Sequence, residues 1–90
     1  MEIDVYDSFA ISRKGYIIHF DVLVEKGTTK NKAFEYGRLW MVEIGENEIG
    51  LNQDRCNYCH SKQANKDIQE AILKKGYYIL QLEGCPNPIR

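Results

Sequence analysis

Apolar residues in the first quarter of the chain recur at every second position. Ile3, Val5, Phe9 and Ile11 are odd; Tyr16, Ile18, Phe20, Val22 and Val24 are even. A two-residue period is the mark of a strand with one buried face. The polar linker Ser12 to Gly15 ends in a glycine that can take positive φ, so the two runs predict a hairpin. With those four residues as the loop, Ile11 faces Tyr16, Phe9 faces Ile18 and Val5 faces Val22, which collects the apolar partners on one side. Ser8 then pairs with His19 and Tyr6 with Asp21 on the face away from the core. Asp7 is the misfit among the inward residues, and a hydrogen bond to backbone at a bulge would accommodate it.

Between Thr28 and Ile44 the spacing changes to three and four, through Ala33, Gly37, Trp40, Met41 and Ile44, with Phe34 beside them. Thr28 or Thr29 can cap this helix at its start and Gly45 can close it. A glycine inside a helix costs about 1 kcal/mol relative to alanine, so Gly37 points to a close approach against the sheet. A second helix follows Asn65 as N-cap, buries Ile68, Ala71 and Ile72, carries Lys74 and Lys75 at its negative end and stops at Gly76. Tyr78, Leu80 and Leu82 mark a last strand, with two prolines after it that cannot continue a ladder. The order β-β-α-α-β predicts an α+β fold: a three-stranded, mainly antiparallel sheet in order 1-2-3 with both helices on one face. Residues 1–85 form one domain in this reading, and 86–90 a tail.

Residues 45 to 64 make a long polar connection, and connections of that length are usually functional or disordered. Within it lies CNYCH, residues 56 to 60. Chain direction through the predicted order carries this loop, the end of the last strand and the start of the second strand to one end of the sheet. Cys56, Cys59, Cys85 and one of His19 or His60 thereby become candidate ligands of a tetrahedral, structural zinc site. A metal clip suits a chain of 90 residues, whose core is small. Three alternatives stay open. The pair Cys56 and Cys59 can be a redox dithiol or serve an enzyme, with His60 or His19 tuning the thiols, although no helix begins directly at the motif. C-x-x-C-H is also the attachment signature of a c-type haem, a modification made outside the cytosol. Three small thiols can also simply fill core cavities.

A second candidate is the polar strand face. His19 and Asp21 lie two apart and point the same way, with Tyr6, Ser8, Tyr77 and Gln81 as prospective neighbours. No nucleophile with a partner or oxyanion hole accompanies them, which leans the reading away from an enzyme. If helices cover only one face, Tyr6, Tyr77 and Ile79 form an exposed patch on the other, suited to a homo-oligomer without metal.

Composition narrows the classes. Apolar residues make up 43% and charged residues 28%, as in ordinary globular domains. Twelve basic against thirteen acidic residues leave a net charge of −1 without long blocks of either sign, so no nucleic-acid or lipid partner is expected. The start, MEIDVYDSF, has neither a basic n-region nor an apolar h-region, and no run approaches a membrane span; the expectation is a cytoplasmic protein. An odd number of cysteines there argues against a structural disulfide set.

HFDVLV at 19–24, A-x-E-Y-G-x-x-W at 33–40, Ile44-Gly45, CNYCHS at 56–61 and GYYILQLEGC at 76–85, in this order, resemble a family of short bacterial proteins, domain of unknown function number two thousand and twenty-four. The likeness runs from the first strand through Cys85. Its shared motif falls on His19, Phe20, Asp21 and Val22, on Cys56, Cys59, His60 and Ser61, and on Glu83, Gly84 and Cys85. The resemblance implies a small α+β fold and brings no activity, substrate, cofactor or partner with it. The closing PNPIR extends past the family's usual end.

Overall fold

A computed structural model describes residues 1–47, 50–55 and 64–85. The elements are β1 (Ile3–Ile11), β2 (Ile17–Glu25), α1 (Lys30–Glu43), β3 (Asn52–Arg55), α2 (Lys66–Lys75) and β4 (Tyr77–Gln81). They form an antiparallel sheet of order β3-β1-β2-β4. The α+β class and the addition of the last strand beside β2 agree with expectation. The sheet has four strands rather than three because the polar segment Asn-Gln-Asp-Arg adds to the free edge of β1.

The hairpin register also differs from expectation. Ser12 and Tyr16 continue the ladder, with the Ser12 N–H donating to the Tyr16 carbonyl (2.8 Å), so the loop is Arg13-Lys14-Gly15, closed by a Gly15 N–H to Ser12 carbonyl bond of 3.0 Å. Gly15 has a φ of 90°, and a turn ending in a left-handed glycine is the usual three-residue hairpin loop. Removing one residue from the loop turns one strand over relative to the other. Ile11 therefore faces Ile17, Phe9 faces His19, Asp7 faces Asp21 and Val5 faces Leu23.

Both faces of the sheet are consequently apolar, and each carries one helix; the expected packing of both helices on one face is not found. On one face Tyr6, Ala10, Ile18, Phe20, Val22 and Val24 pack with Ala33, Trp40 and Met41 of α1. Thr29 caps this helix, its side chain accepting from the Lys32 N–H, and Gly45 follows it at a φ of 76°. Gly37 lets α1 approach closely: a Cβ there would stand 3.1 Å from Gln53 Nε2 and 3.6 Å from the Phe20 ring. On the other face Ile3, Val5 and Leu23 pack with Ala64 and Ile72, and with Ile68, Tyr78 and Leu80 at the margin. Asn65 caps α2 through the Ile68 N–H, and Gly76 ends it in the left-handed region. No helix among the described residues is long and apolar enough to cross a membrane.

Candidate metal centre

The helix α2 is ten residues long and begins beside the chain start, where the Ala64 N–H reaches the Met1 carbonyl (3.4 Å). It runs across the sheet to β4 and covers the rows of Ile3, Val5 and Leu23. The next three rows of the same face, Asp7–Asp21, Phe9–His19 and Ile11–Ile17, approach the hairpin and lose that cover in stages. Asp21 keeps 8% of its surface and is buried, whereas Phe9, Ile11 and Ile17 are 44%, 51% and 58% exposed. The charged residues thus sit at the boundary between a dry half-face and an open one.

At that boundary Asp7, His19 and Asp21 offer one ligand atom each, and the three atoms lie within 4.8 Å of one another. His19 Nε2 stands 3.8 Å from Asp7 Oδ1, beyond hydrogen-bond distance. Nε2 is buried and makes no hydrogen bond among the described residues. The imidazole cannot easily turn to find another donor or acceptor, because Phe9 stacks on it at 4.2 Å with an interplanar angle of 12°. Strand pairing aligns the charges further: Asp54 of β3 is opposite Asp7, which is opposite Asp21. Like charges directly opposite in a ladder are destabilising, a repulsion that a cation held between Asp7 and Asp21 would offset. One nitrogen and two carboxylate oxygens form a donor set for a divalent transition metal. Metal–ligand bonds of about 2.0–2.2 Å bring tetrahedral donors to roughly 3.4 Å apart, somewhat closer than the 3.8 Å between His19 Nε2 and Asp7 Oδ1.

A family model described as a domain of unknown function, DUF2024, matches residues 1–82. The chain belongs to this family. Among solved structures, the DUF2024 chain is similar to that of protein NE1680 from Nitrosomonas europaea, an NMR structure from a structural genomics programme. The two are 32% identical with a TM-score of 0.70, over 94% of this chain and 99% of that one. No curated protein matches the chain. The motif segment Glu83-Gly84-Cys85 lies just beyond the matched span.

Of the candidate residues of the DUF2024 sequence, His19 and Asp21 share a face and converge, and Asp7 completes their cluster rather than lying in the core as expected. Asp7 has the same parity as His19 and Asp21, and the three-residue hairpin loop, in place of the expected four, brings all three to one face. Tyr6 and Tyr77 are not on that face. Both are buried on the α1 side, Tyr6 donating its hydroxyl to the Thr28 carbonyl (3.2 Å) and Tyr77 stacking on Tyr36 at 4.5 Å. Burial, then Glu43 and Tyr36, push the Tyr77 phenol above its ordinary pKa. Ser8 is fully buried in the same layer, and Gln81 pairs with Phe20 there. The patch expected from Tyr6, Tyr77 and Ile79 is therefore core, Ile79 being half-buried against it.

Cys85 does return to β2, but to its backbone: Sγ lies 3.5 Å from the His19 carbonyl oxygen and packs against the α1-side core, on the face opposite the imidazole. Burial raises its thiol pKa, with a backbone hydrogen bond at Leu82 pulling the other way. Among the described residues it joins no cluster of three metal donors. Cys56, Cys59 and His60 lie outside the described residues. The inserted strand reverses the direction of the chain before them: Arg55 is opposite Tyr6, and Ala64, after them, bonds to Met1. Both flanks thus lie toward the start of β1, whereas Gly84 is against Ile17 at the hairpin end.

Proposed function

We propose that this DUF2024 domain is a small metal-binding module that holds one divalent transition metal, zinc or a close relative, on Asp7, His19 and Asp21. The observation that carries the reading is the His19 ring: a buried Nε2 that makes no hydrogen bond among the described residues, stacked on Phe9 and facing carboxylates from two strands. An ion would give that nitrogen a partner and offset the repulsion between Asp7 and Asp21. Three protein donors at the rim of an open face leave at least one coordination position for water or a ligand, unlike a closed structural site.

The test is metal content and zinc titration by calorimetry on protein purified without a histidine tag. One equivalent bound by the native chain, and loss of at least about tenfold in affinity in both His19→Ala and Asp21→Asn, is the expected result. A Cys56→Ser, Cys59→Ser double variant separates this centre from the thiol pair and should bind the same ion unchanged. Zinc binding that survives His19→Ala and disappears in the cysteine variant would transfer the metal to the thiols and end the reading.

A further inference from the structure

The face that carries Asp7, His19 and Asp21 continues toward the hairpin as bare hydrocarbon. Phe9, Ile11, Ile17 and Leu82 are all at least 36% exposed, and two of them adjoin His19: Phe9 is stacked on its ring, and the Leu82 N–H donates to its carbonyl (3.0 Å). A cleft of about 280 Å³, mostly apolar, opens among Phe9, Ala10, Ile11, Ile17, Gly50 and Asn52; Asp7, His19 and Asp21 do not line it. Phe9 belongs to both the cleft and the His19 stack. Among the described residues the cleft is joined to the polar cluster through the Phe9 ring alone; an apolar recess next to a few polar groups is the usual make-up of a small-molecule site, and exposed apolar patches on small proteins commonly mark binding.

Resting on the metal reading above, we infer that this site takes a small molecule with an oxygen-donor head of low charge and an apolar body: the head completes the metal's coordination, and the body lies on Phe9, Ile11 and Ile17. The charge of the head follows from the donors. Two carboxylates already neutralise a divalent ion, and Asp54 stands across the ladder from Asp7, so a doubly charged phosphate is repelled while a neutral or singly charged chelator is not. The nature of the body follows from the surface, where Asn52 is the one polar side chain among the described residues that line the cleft.

Three probes on the zinc-loaded full chain test this: benzohydroxamate, acetohydroxamate and phenyl phosphate, followed by amide chemical shifts and by calorimetry. Benzohydroxamate should bind at least about tenfold more tightly than acetohydroxamate, as burial of most of a phenyl ring implies, and more tightly than phenyl phosphate. Ile17→Ser, at an exposed position, should bring the two hydroxamates toward equal affinity while zinc affinity stays as in the native chain. Equal binding of the two hydroxamates, a ratio untouched by Ile17→Ser, or a preference for phenyl phosphate would overturn the inference and leave the metal centre standing. Amide shifts at Ile11 and Ile17 that move with protein concentration alone would overturn it by showing that a second copy covers the patch. If the native chain binds no zinc, the metal centre and the inference fall together.

Discussion

Gln53 is the residue that makes β3 possible. Its side chain is buried between exposed Asn52 and Asp54, and its Nε2 donates to Ser8 Oγ (3.0 Å) and to the Ala33 carbonyl (3.2 Å), joining the edge strand to β1 and to α1 at once. The space for its amide exists because residue 37 is glycine. Gln53→Leu deletes the amide and leaves buried Ser8 and the Ala33 carbonyl without this donor, so a loss of about 1–3 kcal/mol is expected in urea unfolding. Cys85 makes a second residue-scale prediction. Its folded pKa is raised, so the stabilisation it gives is complete below the unfolded thiol value of about 8.5 and is lost as pH climbs from there toward the folded value. In a Cys56→Ser, Cys59→Ser background, Cys85 should label slowly at neutral pH, and thermal stability should fall more between pH 8 and 10 than when Cys85 is alanine. Gly37 was legible as a close approach, because only contact explains a glycine inside a strong helix pattern. Gln53 was not, since a four-residue strand made only of polar residues, Asn-Gln-Asp-Arg, leaves no hydrophobic period to find.

At the scale of elements, the caps were the clearest text. Asn65 accepts from the Ile68 N–H at 2.9 Å and Gly76 sits at a φ of 98°, both as their positions in the sequence predict. Asn65→Ala should cost about 1 kcal/mol. Gly76→Ala should cost more, because the positive φ is unfavourable to a side chain and the added Cβ would overlap the Tyr36 hydroxyl and ring; denaturant midpoints of the two variants give the ranking. The hairpin was found but its register was not, for a physical reason. Periodicity fixes register only when one face of a strand is apolar and the other polar. Here α1 covers one face and α2 half of the other, so β1 carries Ile3 and Val5 inward toward α2 while Tyr6 and Ala10 face α1. Either parity finds apolar partners, and the decision passes to the turn. There Ser12 Oγ accepts from the Lys14 and Tyr16 N–H groups, 3.1 Å each, and holds a three-residue loop. The placement of the helices on opposite faces was illegible for a related reason: the chain between them makes a strand first.

At the scale of the molecule, the sheet is a partition with one face closed by α1 and the other closed only as far as α2 reaches. The row Asp54–Asp7–Asp21 lies where that cover ends, and its cost to the empty protein should be measurable. Asp7→Asn removes the central carboxylate of the row and should raise the thermal midpoint of the metal-free chain, since opposed like charges in a ladder are worth up to about 1 kcal/mol and each kcal/mol shifts a domain of this size by roughly 4–8 °C. With zinc at a hundred times its dissociation constant, mass action adds about 2.7 kcal/mol to the native chain, or roughly 10–20 °C by the same conversion. The Asp7→Asn variant, short of one donor, should gain much less. The two effects have opposite signs in one substitution, more stable when empty and less stabilised when loaded, and a residue that merely packed or merely solvated would not produce both. A variant that melts lower than the native chain without metal, or that gains as much from zinc, would mean that the carboxylate row is held by the fold for another reason.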